Sequence, residues 1–166
     1  IVGCAYPEGE QGYNIGRLMA FLGGLSSEVP GSTINRLCGS SMQAILSAAA
    51  QISTGWGDCF LCGGVESMSR VKRRGFNWST HPTLERDYPQ AYISMGITAE
   101  IVAEKFEISR TEQEEFALDS HAKAAKAYSE GNFSKELVTI YSNGHEYSND
   151  DCIRADTSLD SMSRLN

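Results

Sequence analysis

Positive charge is in short supply: 14 Lys and Arg stand against 21 Asp and Glu, a formal net charge of −7. That balance excludes the broad basic footprint of a nucleic-acid surface and leaves only local patches for a small anionic ligand. Long hydrophobic runs are also missing. No charge occurs between Arg36 and Asp58, yet Ser40, Ser41, Gln43, Ser47, Gln51, Ser53 and Thr54 interrupt the interval, so it falls short of the ~20 mostly apolar residues of a membrane span. The opening "IVGCAYPEGE" lacks the basic region and apolar core of an export signal, and we expect a cytoplasmic protein with no span. The five cysteines are odd in number and scattered, which suits a reducing compartment rather than a disulfide framework. No G-x-S-x-G elbow is present, which argues against an α/β-hydrolase serine, and there is no internal repeat or low-complexity tract.

Metal chemistry lacks its signature as well. His81, His121 and His145 fall in a loop, on a polar helix and in a hairpin, without ligand or triad spacing, and no metal is expected. Cys59 and Cys62 form a C-x-x-C pair, but on a strand an odd offset sends the two side chains to opposite faces. They read as buried small hydrophobes, and Cys4 and Cys152 carry no signal.

With 41% hydrophobic residues in 166, there is enough to build a core. "IVGCA" is a short apolar run closed by Pro7 and Gly9, suited to a strand buried on both faces. Ile15, Leu18, Met19 and Leu22 recur at helical spacing up to Gly23 and Gly24, where the helix stops. A second strand is expected at about 32–37. A helix over about 40–54 is apolar almost all round and therefore expected to be deeply buried, and a third strand over 58–64 ends in two glycines. Strand, helix, strand, helix, strand is the order of a parallel α/β sheet.

From Val71 the chain changes character. "VKRRGFNWSTHPTLERDYPQAY" has charge and little periodicity, a long excursion of the kind that carries function. "RVKRR" at its start, Arg70 to Arg74, reads as a solvated loop, with contact to a phosphate of an anionic ligand or an acidic carrier as the alternative. "ITAEIVAEKF" then gives an amphipathic helix. Ser109 and Glu112 make an S-x-x-E capping box for a further helix running to Gly131, and Asn143-Gly144 marks a hairpin turn.

One residue is placed where chemistry happens. Cys38 ends the second strand and precedes the long helix, which puts it at the carboxyl edge of the sheet, where open α/β folds bind ligands. Backbone N–H groups and the dipole at a helix start favour a thiolate. Gly39 lets a substrate approach the backbone, and Ser40 and Ser41 suit a helix start. From pattern alone the commoner reading of such a residue is a buried structural cysteine. The papain-type C-G-S-C-W matches "CGSS" in three letters only, because Met42 and Gln43 break it.

Four stretches in order carry a family likeness. "INRLCGSSMQAI" resembles the nucleophile motif of the thiolases, the acyl-CoA acetyltransferases, and "CGGVESMS" is similar to their G-G-x-E-x-M-S segment. "SMGITAE" resembles the M-G-x-T-A-E of their loop domain, and "IRADTSLDSMSRL" the stretch leading into the second half of the fold. "EGEQGYNIGR" also sits where that family would place it.

The resemblance implies a thiolase-like α/β fold: an incomplete N-terminal βαβαβ half, residues 1–70, with an inserted loop domain over 71–166 that covers coenzyme A. The C-terminal half would be absent, and with it the family's acid-base histidine and second cysteine. Beginning at Ile1 without Met and stopping at "SMSRLN", the chain is expected to belong to a larger protein. By the same resemblance Cys38 is the acyl-accepting nucleophile, with its backbone N–H as one oxyanion donor. Met95 would touch the pantetheine, and Arg154 and Ser161 the adenosine-phosphate end. Glu66 would shape the strand end beside Cys38. The implied reaction is thiolytic cleavage of a 3-ketoacyl-CoA, with CoA and acyl-CoA as substrates, no resident cofactor, and a homodimer or homotetramer as the assembly. Ser94, where biosynthetic members often carry histidine, points to the degradative direction. A biosynthetic acetoacetyl-CoA thiolase and a non-catalytic acyl-CoA-binding subunit are the alternatives.

Overall fold

The first strand is two residues long. β1 (Val2–Gly3) lies between β2 (Thr33–Ile34) and β3 (Gly63–Gly64) in a parallel sheet of order β2-β1-β3. Val2 faces Thr33 and Gly63, and Gly3 faces Ile34 and Gly64. The expected sheet is thus present, with strands of two residues rather than five to seven. Flanking bonds extend the ladder slightly: Val2 N–H donates to Ser32 O (2.9 Å), Cys4 N–H to Ile34 O (3.0 Å) and Val65 N–H to Gly3 O (3.0 Å). This computed structural model describes residues 1–165 and divides into two compact units, Ile1–Asp87 and the chain from Tyr88 onward.

In the first unit, α1 (Ile15–Leu22) and α2 (Ser40–Ser53) supply the crossovers between strands. α1 closes on the start of β2 through Gly16, whose N–H donates to Thr33 Oγ1 (3.0 Å). α2 packs on all three strands, burying a narrow stripe of Ser40, Ala44 and Ala48. Here the sequence expectation needs correcting. α2 is not deeply buried: Met42 is 67% exposed and Ile45 58%, with Leu46 and Ile52 exposed too. Three two-residue strands cover one stripe of a 14-residue helix and no more.

Cys59 and Cys62 are corrected likewise. Both are exposed, because the third strand is confined to Gly63–Gly64 and the residues before it are irregular. Cys62 Sγ lies 3.7 Å from the carbonyl of Ala44. Val71, where the excursion begins, is fully buried, and residues 71–87, including α3 (Pro82–Asp87), belong to the first unit. They are held there by Phe76 N–H on Glu8 Oε2 (2.6 Å) and by an Arg70–Glu10 ion pair. Arg74 stacks its guanidinium 4.7 Å from the Trp78 ring, a contact that occupies one charge of the basic run.

The second unit contains α4 (Met95–Lys105), α5 (Arg110–Ser129), the hairpin β4 (Ile140–Ser142) to β5 (His145–Tyr147), and α6 (Leu159–Met162). The capping box forms as expected: Ser109 N–H donates to Glu112 Oε2 (2.8 Å) and Glu112 N–H to Ser109 Oγ (3.3 Å). The Ser109 N–H and the Ser109 hydroxyl, which also donates to Glu112 Oε2 (2.8 Å), hold the Glu112 carboxyl below the usual range. The bond they make is therefore complete at neutral pH and is lost as acid protonates Glu112. Gly131 ends the helix region at φ +73°, and Asn143 and Gly144 adopt φ +51° and +77° in the hairpin turn, the pair of left-handed residues a tight hairpin needs. Among the described residues no helix is long and apolar enough to cross a membrane.

Candidate active site

The carboxyl ends of all three parallel strands meet at one edge of the sheet. Ala5 follows β1, Asn35 to Cys38 follow β2, and Glu66 follows β3. Small residues let the start of α2 come down onto this edge. A Cβ at Gly3 would lie 2.5 Å from both Ser40 C and Ser41 N, and one at Gly64 would meet Ser41 Oγ. At Gly3, where the atoms met are backbone, only glycine fits such an approach.

Between β2 and α2 the chain makes a tight turn that carries Cys38. Leu37 has φ +47°, a left-handed conformation that costs a non-glycine residue about 1–3 kcal/mol and persists only where neighbours enforce it. Those neighbours are present. Leu37 N–H donates to Asn35 Oδ1 (2.8 Å), and the Leu37 carbonyl accepts from Ser40 Oγ (2.5 Å) and Ser40 N–H (3.0 Å). Ser40 Oγ also accepts from Arg36 N–H (2.9 Å), and Arg36 and Cys38 form an isolated parallel bridge. Cys38 is exposed, one residue before the N-cap Gly39 of α2. The structural-cysteine alternative, which needs burial, is therefore not what the fold shows.

Cys4 is the contrast. It is 1% exposed, and burial, followed by the nearby Glu66 carboxylate, pushes its thiol above the ordinary range. At neutral pH it stays protonated and unreactive. The two cysteines of this edge thus divide into one exposed and one sealed.

Glu66 joins the strand ends. Its Oε2 accepts from Ala5 N–H (2.7 Å) and its Oε1 from Gln11 Nε2 (2.7 Å), while Gln11, buried, also donates to Tyr6 O (2.9 Å) and accepts from Ser67 N–H. In the next peptide, across the Ala5 Cα, Asn35 Nδ2 donates to Ala5 O (3.0 Å). Gln11 and Leu37 were not singled out from the sequence, and Asn35 entered only as the first residue of the N-x-x-C motif, without a role of its own. The spacing of Asn35, three residues before Cys38 in "INRLC", marks the motif but not the bonds that Asn35 makes; the left-handed Leu37 leaves no mark in a leucine.

The residues assigned to coenzyme A lie in the second unit. Met95 is the first residue of α4 and 59% exposed, and Ser94 caps that helix by accepting Ile97 N–H (3.2 Å). Arg154 is exposed, its backbone N–H donating to His121 Nδ1 on α5 (3.1 Å). Ser161 is used locally: its hydroxyl donates to Ser158 O (2.8 Å) and accepts from Ser158 N–H (3.0 Å), completing the cap of α6. That leaves the Ser161 oxygen an acceptor position but no proton for a ligand. α5 braces the segment bearing both residues, through Tyr128 Oη on Asp150 N–H (3.1 Å), His121, and Arg110 on the carbonyls of Met162 and Leu165 (3.2 and 3.0 Å). Among the described residues no group of His, Cys, Asp and Glu is arranged to hold a metal ion.

A parallel α/β unit presenting an exposed cysteine on an enforced turn at its carboxyl edge belongs to a class that carries nucleophiles there. The family model for the thiolase N-terminal domain matches residues 1–166, and the chain belongs to the thiolase family. It is 42% identical to a 3-ketoacyl-CoA thiolase of Idiomarina loihiensis over 98% of this chain and 43% of that protein. For a 3-ketoacyl-CoA thiolase of Bacillus subtilis the values are 41%, 99% and 46%, and for one of Pseudoalteromonas translucida 43%, 98% and 43%. The chain spans less than half the length of these curated relatives.

Proposed function

We propose that the protein carrying this chain is a 3-ketoacyl-CoA thiolase whose Cys38 receives the acyl group. The observation that carries this reading is the exposed Cys38 on a turn enforced from both sides, in a chain of the thiolase family. The names of the relatives support the degradative activity over the condensing one. In the first half-reaction the Cys38 thiolate attacks the 3-keto carbon. The C2–C3 bond breaks, its electron pair stays on C2, and protonation releases acetyl-CoA. In the second, the thiolate of a new CoA attacks the Cys38 thioester and restores the free thiolate.

Residues of this chain have two tasks in that sequence. Cys38 provides the soft nucleophile, and its own N–H, beside the start of α2, is one donor to the oxyanion of the tetrahedral adduct. The segment from about residue 71 onward is the CoA-covering part, with Met95 against the pantetheine and Arg154, through its planar fork, at the phosphates. Ser161 joins them as an acceptor. Proton delivery to C2 is a separate general-acid task, worth about 10²–10⁴-fold, and we assign it to residues outside this chain. The exposed apolar perimeter of α2 fits a half-fold whose other half packs against it. A homodimer or homotetramer in the cytoplasm is part of the same reading, and light scattering on the full-length protein checks the assembly.

The test is an acid-quenched reaction of full-length protein with acetoacetyl-CoA, followed by peptide mass spectrometry. An acetyl adduct on the Cys38 peptide, discharged by added CoA, is the expected result. The isolated 166-residue chain is expected to give no steady-state cleavage of acetoacetyl-CoA. An adduct confined to another cysteine, or turnover by the isolated chain, would overturn the respective assignment.

A further inference from the structure

The left-handed Leu37 immediately before Cys38 requires an agent that holds it, and the hydrogen bonds name one. Asn35 uses both ends of its carboxamide. Oδ1 accepts the Leu37 N–H at 2.8 Å, and Nδ2 donates to the Ala5 carbonyl at 3.0 Å. Ala5 is itself held from its other side, because its N–H, across the Cα from that carbonyl, donates to Glu66 Oε2 at 2.7 Å. The contacts therefore run from Glu66 after β3, through residue Ala5 just past β1, to Asn35 after β2, and from there to the residue that sets the direction of Cys38.

Side-chain chemistry narrows the requirement to an amide of this length. Aspartate would keep the acceptor for Leu37 but present an oxygen to the Ala5 carbonyl, and leucine would lose both bonds while filling similar space. Without the brace, Leu37 would relax toward negative φ, since its left-handed conformation is unfavourable by itself. Rotating that one dihedral swings the Cys38 Cα–Cβ bond away from the position fixed by the sheet edge.

We propose that Asn35 is the positioning residue of the Cys38 turn: braced by Ala5 and Glu66, its carboxamide holds Leu37 in the left-handed conformation that aims the thiol. This rests on the reading of Cys38 as nucleophile, but the two are separable by experiment. In the full-length protein, Asn35→Ala, Asn35→Asp, Leu37→Gly and the double variant N35A/L37G are compared. Iodoacetamide labelling is resolved by peptide, with Cys152 as an exposed internal control and Cys4 as a reporter of opening, and thiolysis gives kcat and KM for CoA.

Asn35→Ala and Asn35→Asp are expected to slow Cys38 labelling and kcat by about 10- to 100-fold, the scale of misplacing a reacting group by about an ångström. KM for CoA, Cys152 labelling and the protection of Cys4 should stay within about twofold. Glycine adopts positive φ without help, so L37G should return several-fold of the loss in the N35A background. Cys38 labelling unchanged in N35A would overturn the proposal. So would a loss that L37G leaves intact and that comes with increased labelling of Cys4, because Asn35 would then merely hold the fold together. Absence of any Cys38 thioester in the wild-type protein would sink the thiolase reading alone, since the ratio of Cys38 to Cys152 labelling still reports whether Asn35 aims the thiol.

Discussion

Cys38→Ala in the full-length protein is expected to lower the rate of 3-ketoacyl-CoA thiolysis by at least about 10⁴-fold, as removal of a covalent nucleophile does elsewhere. Cys38→Ser is expected to fall nearly as far, because a hydroxyl is weakly acidic and the turn offers no base to activate it within the contacts seen around Leu37 and Ser40. The fold should survive both changes, since the Cys38 side chain is exposed and surface substitutions usually stay within about 0.5 kcal/mol. Steady-state assay and a urea titration of each variant separate the two effects. Activity within tenfold of wild type in Cys38→Ala would place the acyl group elsewhere. Among the remaining cysteines, Cys4 is then the poorest substitute, being sealed and held protonated.

Gly3→Ala is the second large effect, and it arises from packing rather than from chemistry. The new methyl carbon would lie 2.5 Å from Ser40 C and Ser41 N and 2.8 Å from Ser40 Cβ. Backbone atoms cannot rotate away, so the start of α2 has to move off β1. We expect a loss of about 1–3 kcal/mol or somewhat more, typical of overpacking. Because Ser40 Oγ holds both Arg36 N–H and the Leu37 carbonyl, the displacement passes directly to the Cys38 turn. Acylation should then drop by up to about 100-fold even in molecules that remain folded. Gly64→Ala should be milder, since the nearest atom it meets is the hydroxyl of Ser41 and only then Ser41 Cβ at 3.2 Å. Stability from denaturant midpoints and single-turnover acylation of the folded protein would check this ranking. Equal tolerance of alanine at positions 3 and 64 would contradict it.

Much of this architecture was legible in the chain. The alternation of short apolar runs with helical spacing announced a parallel α/β unit, and the order β1, α1, β2, α2, β3 follows it. Local chemistry was legible where it is self-contained: the Ser109–Glu112 cap and the Asn143-Gly144 turn need only neighbours in sequence, and both form. The apolar character of α2 was read correctly, but the burial inferred from it was not, because burial depends on what lies opposite and the small sheet covers only Ser40, Ala44 and Ala48. Cys59 and Cys62 were misjudged for the same reason, their strand being shorter than its apolar run suggests.

The sequence by itself determined the class of fold and the family, since strands and helices alternate along the chain and four motifs succeed one another in the family's order, and it put Cys38 forward as the nucleophile we propose. Only the tertiary structure decided how that cysteine is held. Asn35 and Glu66 lie 30 and 61 residues from Ala5, to which both are hydrogen-bonded, and such partners have no local pattern. The left-handed Leu37 is equally invisible, because leucine adopts it only when distant groups make the alternative worse. Those groups converge because three parallel strands end at one edge, and that convergence is a property of the sheet.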